Sequence, residues 1–147
     1  MGGRELCILL VEDNEDHAEL TLKALENGNL LNKVYWVKDG EEALDFLQHR
    51  KQYADQAEAP RPGLVLLDIK LPKIDGHEVL RRIKGDEDLK TIPIVMLSTS
   101  DRKEEVESCY RAGANGFVTK PVKFAAFVEC IKAVKLYWMI ANRLPEG

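Results

Sequence analysis

The sequence predicts an α/β fold, a doubly wound parallel sheet of five strands with helices on both faces. Three observations predict it. Apolar runs and amphipathic stretches take turns five times along the chain. The runs are apolar throughout rather than alternating, the mark of strands covered on both faces. The 147 residues, 45% hydrophobic and 31% charged, suit one domain with an ample core and leave no room for a second.

The first unit pairs the run Leu6 to Val11 with "HAELTLKALEN", where Ala18, Leu22 and Leu25 share a helical face and Gly28 supplies a stop. The second pairs "KVYWVKDG", ending in an Asp39-Gly40 turn, with "EEALDFLQ". Its first turn carries Glu41 and Glu42, where the helix dipole favours acids. The polar, proline-bearing "HRKQYADQAEAPRPG" follows, a loop of unusual length that is either a binding loop or a tolerated insertion. The third and fourth units are "LVLLD" with "GHEVLRRIK" and "IPIVMLS" with "RKEEVESCYRAG"; the fifth is "NGFVT" with a long final helix from about Lys123.

Composition narrows the function classes. A net charge of −4 gives no basic footprint for nucleic acid or an anionic membrane. No apolar run reaches the roughly 18 residues of a membrane span, and "MGGRELC" lacks the core of a signal peptide, so a cytoplasmic protein is expected. The three cysteines, Cys7, Cys109 and Cys130, are odd in number and widely spaced, which fits reduced core or half-buried thiols.

In an open parallel sheet, ligands sit beyond the carboxyl ends of the strands. There the sequence places Glu12 and Asp13 after strand one, Asp68 at the end of strand three, Ser98 at the end of strand four and Lys120 after strand five. Three carboxylates brought together repel unless a divalent cation sits between them. All-oxygen ligands select Mg2+, with Mn2+ the alternative, over zinc. A lysine and a small hydroxyl beside such a carboxylate are the groups that clamp phosphoryl oxygens while the carboxylate attacks phosphorus, so Asp68 reads as a nucleophile. Singly, each residue has a bland reading as helix cap, turn hydroxyl or solvated charge; it is their joint placement at equivalent strand ends that argues for a site. His17, His49 and His77 show no ligand spacing and read as surface residues, and the run Arg102 to Glu105 reads as a solvated helix face.

The motifs "LLVEDNEDHAEL", "VKDGEEAL", "LVLLDIKLPKIDGHEVLRRIK", "IPIVMLSTS" and "AGANGFVTKPV" together resemble the receiver domain of two-component response regulators, over about Leu6 to Trp138. The resemblance implies a flavodoxin-like fold of strand order 2-1-3-4-5. It implies Asp68 as phosphoacceptor, with Asp13, Asp68 and the Lys70 backbone carbonyl as metal ligands and Glu12 acting partly through water. Lys120 would pair with the phosphoryl oxygens, Ser98 would hydrogen-bond one of them, and Phe117 would be the aromatic switch. The Lys120-Pro121 bond is usually cis in this family. Glu12 stands where the family more often has Asp. The wording around Asp68 and Ser98, the long loop and the tail "KLYWMIANRLP" resemble single-domain regulators of bacterial phytochrome-type histidine kinases.

The expectation is therefore a stand-alone receiver domain over residues 1–147 that takes a phosphoryl group from a histidine kinase and acts by binding, not turnover. Lys70 and Ser100, each two residues beyond a site residue, would border the path of attacking water and set the lifetime. A haloacid-dehalogenase-like phosphatase is the alternative enzyme, but its motif wants a second Asp where this chain has Lys70. A phosphorylation-dead module of the same fold would have lost pocket residues, and none is lost. The extension over residues 135–147 runs apolar through Leu136 to Ile140, so a homodimer with Tyr137 and Trp138 at the contact is expected.

Overall fold

A computed structural model describes residues 6–26, 32–55 and 57–120, together with positions 125, 126, 129 and 133, which are helical. The expectations for Gly28, Cys130, Pro121 and its peptide bond, and for Tyr137 and Trp138 concern positions outside the described residues.

The described chain alternates as expected. Strand β1 (Leu6–Val11) leads to helix α1 (Glu15–Glu26), β2 (Asn32–Val37) to α2 (Gly40–Leu47), β3 (Leu64–Asp68) to α3 (Gly76–Lys84), and β4 (Ile94–Ser98) to α4 (Lys103–Arg111), before β5 (Gly116–Thr119). All pairings are parallel and the order is β2-β1-β3-β4-β5. β4 starts two residues later than its apolar run because Pro93 has no N–H to give a ladder, although its carbonyl accepts from Val65 N at 2.9 Å.

The continuous apolar runs find their explanation in two cores, one on each sheet face. Leu9, Val11, Val65, Leu67, Ile94 and Met96 pack with Leu44, Phe46, Val79, Leu80 and Ile83 of α2 and α3 and with Cys109 of α4. The intervening Ile8, Leu10, Leu64, Leu66, Val95 and Leu97 pack with Ala18, Ala24 and Leu25 of α1. Strand side chains alternate between faces, so a strand buried on both must be apolar at each position. Each fully buried Leu or Ile contributes about 1.5–3 kcal/mol over its exposed state.

Local chemistry sets the helix starts. Asp39 caps α2 by accepting from Glu42 N at 2.7 Å, while Glu42 Oε1 accepts from Lys38 N at 3.1 Å. Asp75 caps α3 from Glu78 N at 2.9 Å. Two of these positions admit only glycine because backbone comes too close. A Cβ on Gly40 would lie 1.9 Å from the Ile74 carbonyl oxygen, and one on Gly76 would lie 2.3 Å from that of Asp68. Helix α3 is thereby drawn against the end of β3, which fixes the backbone that carries Asp68.

The long loop before β3 contains a 3₁₀ turn, Lys51–Tyr53, and runs back along α2. The Tyr53 hydroxyl donates to Glu42 Oε2 at 2.6 Å, and its ring meets Phe46 edge-on at 5.0 Å. Arg50 pairs with buried Asp45 at 3.3 Å, and His49 Nε2 lies 2.8 Å from the Ala59 carbonyl. This segment is thus strapped to α2 by specific contacts.

Candidate functional site

Four strand ends converge on one pocket. β1 runs out into Glu12, whose N–H donates to Val37 O at 3.1 Å and whose carbonyl accepts from the Trp36 indole at 2.8 Å. These two bonds tie the loop after β1 to β2 and fix the backbone that carries the Glu12 side chain. Asp68 closes β3 and Ser98 closes β4. Lys120 follows β5, and its backbone N–H donates to the Ser98 carbonyl at 2.6 Å.

The side chains meet as the sequence implied. One oxygen from each of Glu12, Asp13 and Asp68 lies within 4.8 Å of the other two. Lys120 Nζ donates to Glu12 Oε1 in a short contact and to Asp68 Oδ2 at 3.2 Å. Glu12 is 0% exposed, Ser98 4%, Asp68 7% and Lys120 9%, whereas Asp13 faces solvent. Burial, and then the Asp68 carboxylate, push the Glu12 carboxyl up to about 8, against the opposing pull of the Lys120 ammonium. Fully ionised, three carboxylates against one ammonium leave two negative charges in the cluster.

That surplus and the donor set fit a hard divalent cation: oxygen ligands only, converging, in a place where their own repulsion is costly. Glu12, Asp13 and Asp68 are the residues that would hold it. The bound ion would offset charge on an incoming phosphoryl group.

Two polar residues expected at the surface, His17 and Glu105, join the pocket. Asn14 Oδ1 caps α1 by accepting from His17 N at 3.0 Å, which sets His17 in the first helical turn, four residues from Asp13. Its Nδ1 lies 3.3 Å from Lys120 Nζ, so the three N–H donors of the ammonium face Glu12, Asp68 and His17. The cap at Asn14 was the available signal, since it fixes which way residue 17 points. His49 and His77 are likewise half-buried rather than exposed; His77 Nδ1 lies 3.9 Å from the buried Cys109 sulfur. The expected solvated face at Arg102 to Glu105 also needs correction at one position. Arg102, Lys103 and Glu104 are exposed, but Glu105 turns inward, and its Oε1 accepts from the Ser98 hydroxyl at 3.0 Å.

Of the remaining candidates, Ser100 N donates to Ser98 Oγ at 3.0 Å, and the Lys70 side chain is exposed. Phe117 is half-buried on β5 beside Met96, packed on the α2–α3 face. Cys7 is half-buried and Cys109 buried, as expected. Among the described residues no helix is long and apolar enough to cross a membrane.

A parallel sheet of order 2-1-3-4-5, with an acidic cluster at its carboxyl end and a lysine laid across it, defines a class. The chain belongs to the response regulator receiver domain family, whose profile matches residues 8–132. Among curated relatives it is 41% identical over 138 residues to the probable methanogenesis regulatory protein FilR2 of Methanothrix harundinacea, covering 94% of this chain and 86% of that one. It is 36% identical over 140 residues to response regulator Rcp1 of Synechocystis, covering 95% and 93%. Among solved structures it is similar to the phosphorylated cyanobacterial phytochrome response regulator RcpA, at 38% identity and a TM-score of 0.91, covering 97% of this chain and 100% of that one. The Mn2+-bound form of Rcp1 matches at 35% identity and a TM-score of 0.89, covering 96% and 99%. This is therefore a response regulator of two-component signalling, similar to phytochrome response regulators. Receiver domains take part with histidine kinases and bind Mg2+ or Mn2+ at an acidic pocket, and the acidic cluster here is of that kind. The phosphatase alternative gains nothing: the residue two beyond Asp68 is the exposed Lys70.

Proposed function

We propose that this chain is a stand-alone cytoplasmic switch in which Asp68 takes a phosphoryl group from a histidine kinase. The observation that carries the reading is the cluster itself: three carboxylates within 4.8 Å, with Lys120 spanning Glu12 and Asp68. In the transfer, an Asp68 oxygen forms a bond to phosphorus as the P–N bond of the phosphohistidine breaks. The electron pair of that bond returns to the imidazole, which leaves neutral because its other ring nitrogen already carries a proton in the protonated phosphohistidine. Lys120 follows the charge from carboxylate to phosphoryl oxygen, and Ser98 donates to another oxygen. Phe117, which pairs with Met96 two residues before Ser98 on the β4–β5 ladder, then repacks, and partner binding changes through the population of two surface states.

Intact mass after incubation with Mg2+ and acetyl phosphate tests this. One added phosphoryl group, labile to hydroxylamine and lost in Asp68→Asn or on chelation, is expected. A gain that survives Asp68→Asn overturns the assignment.

Likeness to RcpA and Rcp1 supports a phytochrome-type kinase as the donor. Preferential phosphotransfer from such a kinase over an unrelated one checks it, and equal rates count against it. Lys70 and Ser100 are proposed to set the phosphoryl lifetime, through the position of each two residues beyond Asp68 and Ser98. Unchanged decay in both Lys70→Asn and Ser100→Glu removes them from the mechanism. The apolar stretch through Tyr137 and Trp138 supports a homodimer built on the tail. A monomer at tens of micromolar in sedimentation equilibrium, with and without phosphorylation, excludes it.

A further inference from the structure

We propose that Glu105 is a positioning residue that holds the Ser98 hydroxyl away from the phosphoryl site, so that phosphorylation and the Ser98–Glu105 contact exclude each other. The proposal rests on the functional reading above and adds to it a residue, a sign and a link to α4.

The chemistry is a count of protons. A serine hydroxyl has one hydrogen to donate. Here it goes to Glu105 Oε1 at 3.0 Å, while the Ser98 oxygen accepts from Ser100 N at 3.0 Å. Ser98 is buried, so this hydrogen does not simply trade with bulk water. A phosphoryl group on Asp68 that is to be bonded by Ser98 must take that same hydrogen. One acceptor gains it only as the other loses it.

Glu105 is also an unusual occupant of its position. In the first turn of α4 an acid is stabilised by the helix dipole while fully solvated, as neighbouring Glu104 is. Glu105 instead turns toward β4. Arg102, at the N-cap of the same helix, makes no capping side-chain hydrogen bond. The Ser98–Glu105 contact therefore joins the start of α4 to the end of the site strand. Farther along, α4 is anchored by Cys109 in the core. By reciprocity of linkage, whatever the contact costs phosphorylation, phosphorylation costs the contact. Loss of the tether frees the first turn of α4 while Cys109 holds the second, which places the surface change at residues 102–105.

A carboxylate near a dianionic phosphoryl group also repels it, and that effect needs no serine. The two are separable. Glu105→Ala removes both acceptor and charge, and Glu105→Gln removes the charge but keeps an acceptor oxygen. Ser98→Ala removes the donor, so in that background only charge is left to act.

The test uses the full chain with Mg2+ and beryllofluoride, a phosphoryl mimic, with binding followed by 19F NMR. Mass gain from acetyl phosphate is measured in parallel on the wild type. Glu105→Ala should bind beryllofluoride roughly tenfold more tightly than wild type, the equivalent of about 1.4 kcal/mol and of one hydrogen bond to a charged group. Glu105→Gln should fall between them, and Glu105→Ala should gain clearly less when Ser98 is already alanine, where only the removed charge can act. Unchanged affinity in Glu105→Ala overturns the proposal, as does an equal gain with and without the Ser98 hydroxyl. A wild type that gains mass while the Glu105 variants bind like it sinks the latch alone. A wild type that neither gains mass nor binds the mimic sinks the phosphoacceptor reading, and the latch with it.

Discussion

Replacing Lys120 by Met should unmake the pocket's charge balance in a way that a divalent cation can repair. Lys120 is 9% exposed and its ammonium lies between Glu12 and Asp68, so Met fills much of its volume but leaves two buried carboxylates facing each other. Removing one member of a buried ion pair costs about 3–5 kcal/mol, because the remaining charge is stranded. For a domain of this size about 2–4 °C of melting temperature accompanies each kcal/mol, so a fall of roughly 6–20 °C is expected in chelator. Part of the loss is absorbed by protonation of Glu12, so the fall should be smaller at pH 6 than at pH 9. Magnesium then takes the place of the missing charge. A ligand at a hundred times its dissociation constant adds about 2.7 kcal/mol, and this increment should be larger in the variant than in wild type. Scanning calorimetry of both proteins with chelator and with Mg2+ at two pH values reads all of it. A variant within about 1 kcal/mol of wild type in chelator would refute the reasoning. So would an equal magnesium increment in the two proteins, since the cation and the ammonium would then not share the same carboxylates.

Glu12 carries a further pH signature: its carboxyl is raised from 4.5 to about 8, so between those values the native state keeps a proton the unfolded chain has released. Its contribution to stability is thus greatest below pH 4.5 and is lost as pH rises through 8; urea midpoints in chelator should show this slope in wild type and not in Glu12→Gln. Gly76→Ala should lose about 1–3 kcal/mol or more, since its Cβ would meet the Asp68 carbonyl at 2.3 Å and backbone cannot step aside, and an unchanged urea midpoint would show that α3 can shift. Burial raises the Cys109 thiol to about 11, so at pH 8 it holds about two orders of magnitude less thiolate than an ordinary cysteine. A thiol reagent should therefore label native wild type and native Cys109→Ser alike, and slower labelling of the variant would contradict the buried placement.

Much of the fold was legible because each face of the sheet has its own core. Runs such as Leu64 to Leu67 have no polar position, and only a strand covered on both sides needs that. The site was legible for a related reason: a charged residue closing such a run marks the strand's end, and Glu12, Asp68 and Lys120, all buried, can keep charge there only against one another. His17 and Glu105 escaped notice because both lie in the first turn of a helix, where polar residues are ordinary. Whether such a side chain turns out or in depends on what another strand places opposite it. Lys120 does this for His17 and Ser98 for Glu105, and neither neighbour can be inferred from local spacing. The strapping of the long loop to α2 was illegible for the same reason, since Tyr53 and Glu42 are drawn together only once the chain has doubled back.

The meeting of Glu12 with Lys120 joins positions 108 residues apart. A ribosome delivers the acidic pair first, Asp68 later and the lysine last of the three. Until β5 lies beside β4, the Ser98 carbonyl has no Lys120 N–H to hold, and nothing keeps the ammonium over the carboxylates. A nascent or truncated chain that stops short of β5 therefore holds the three carboxylates without the cation that bridges two of them. The pocket's charge balance is completed only when the final strand of the sheet docks.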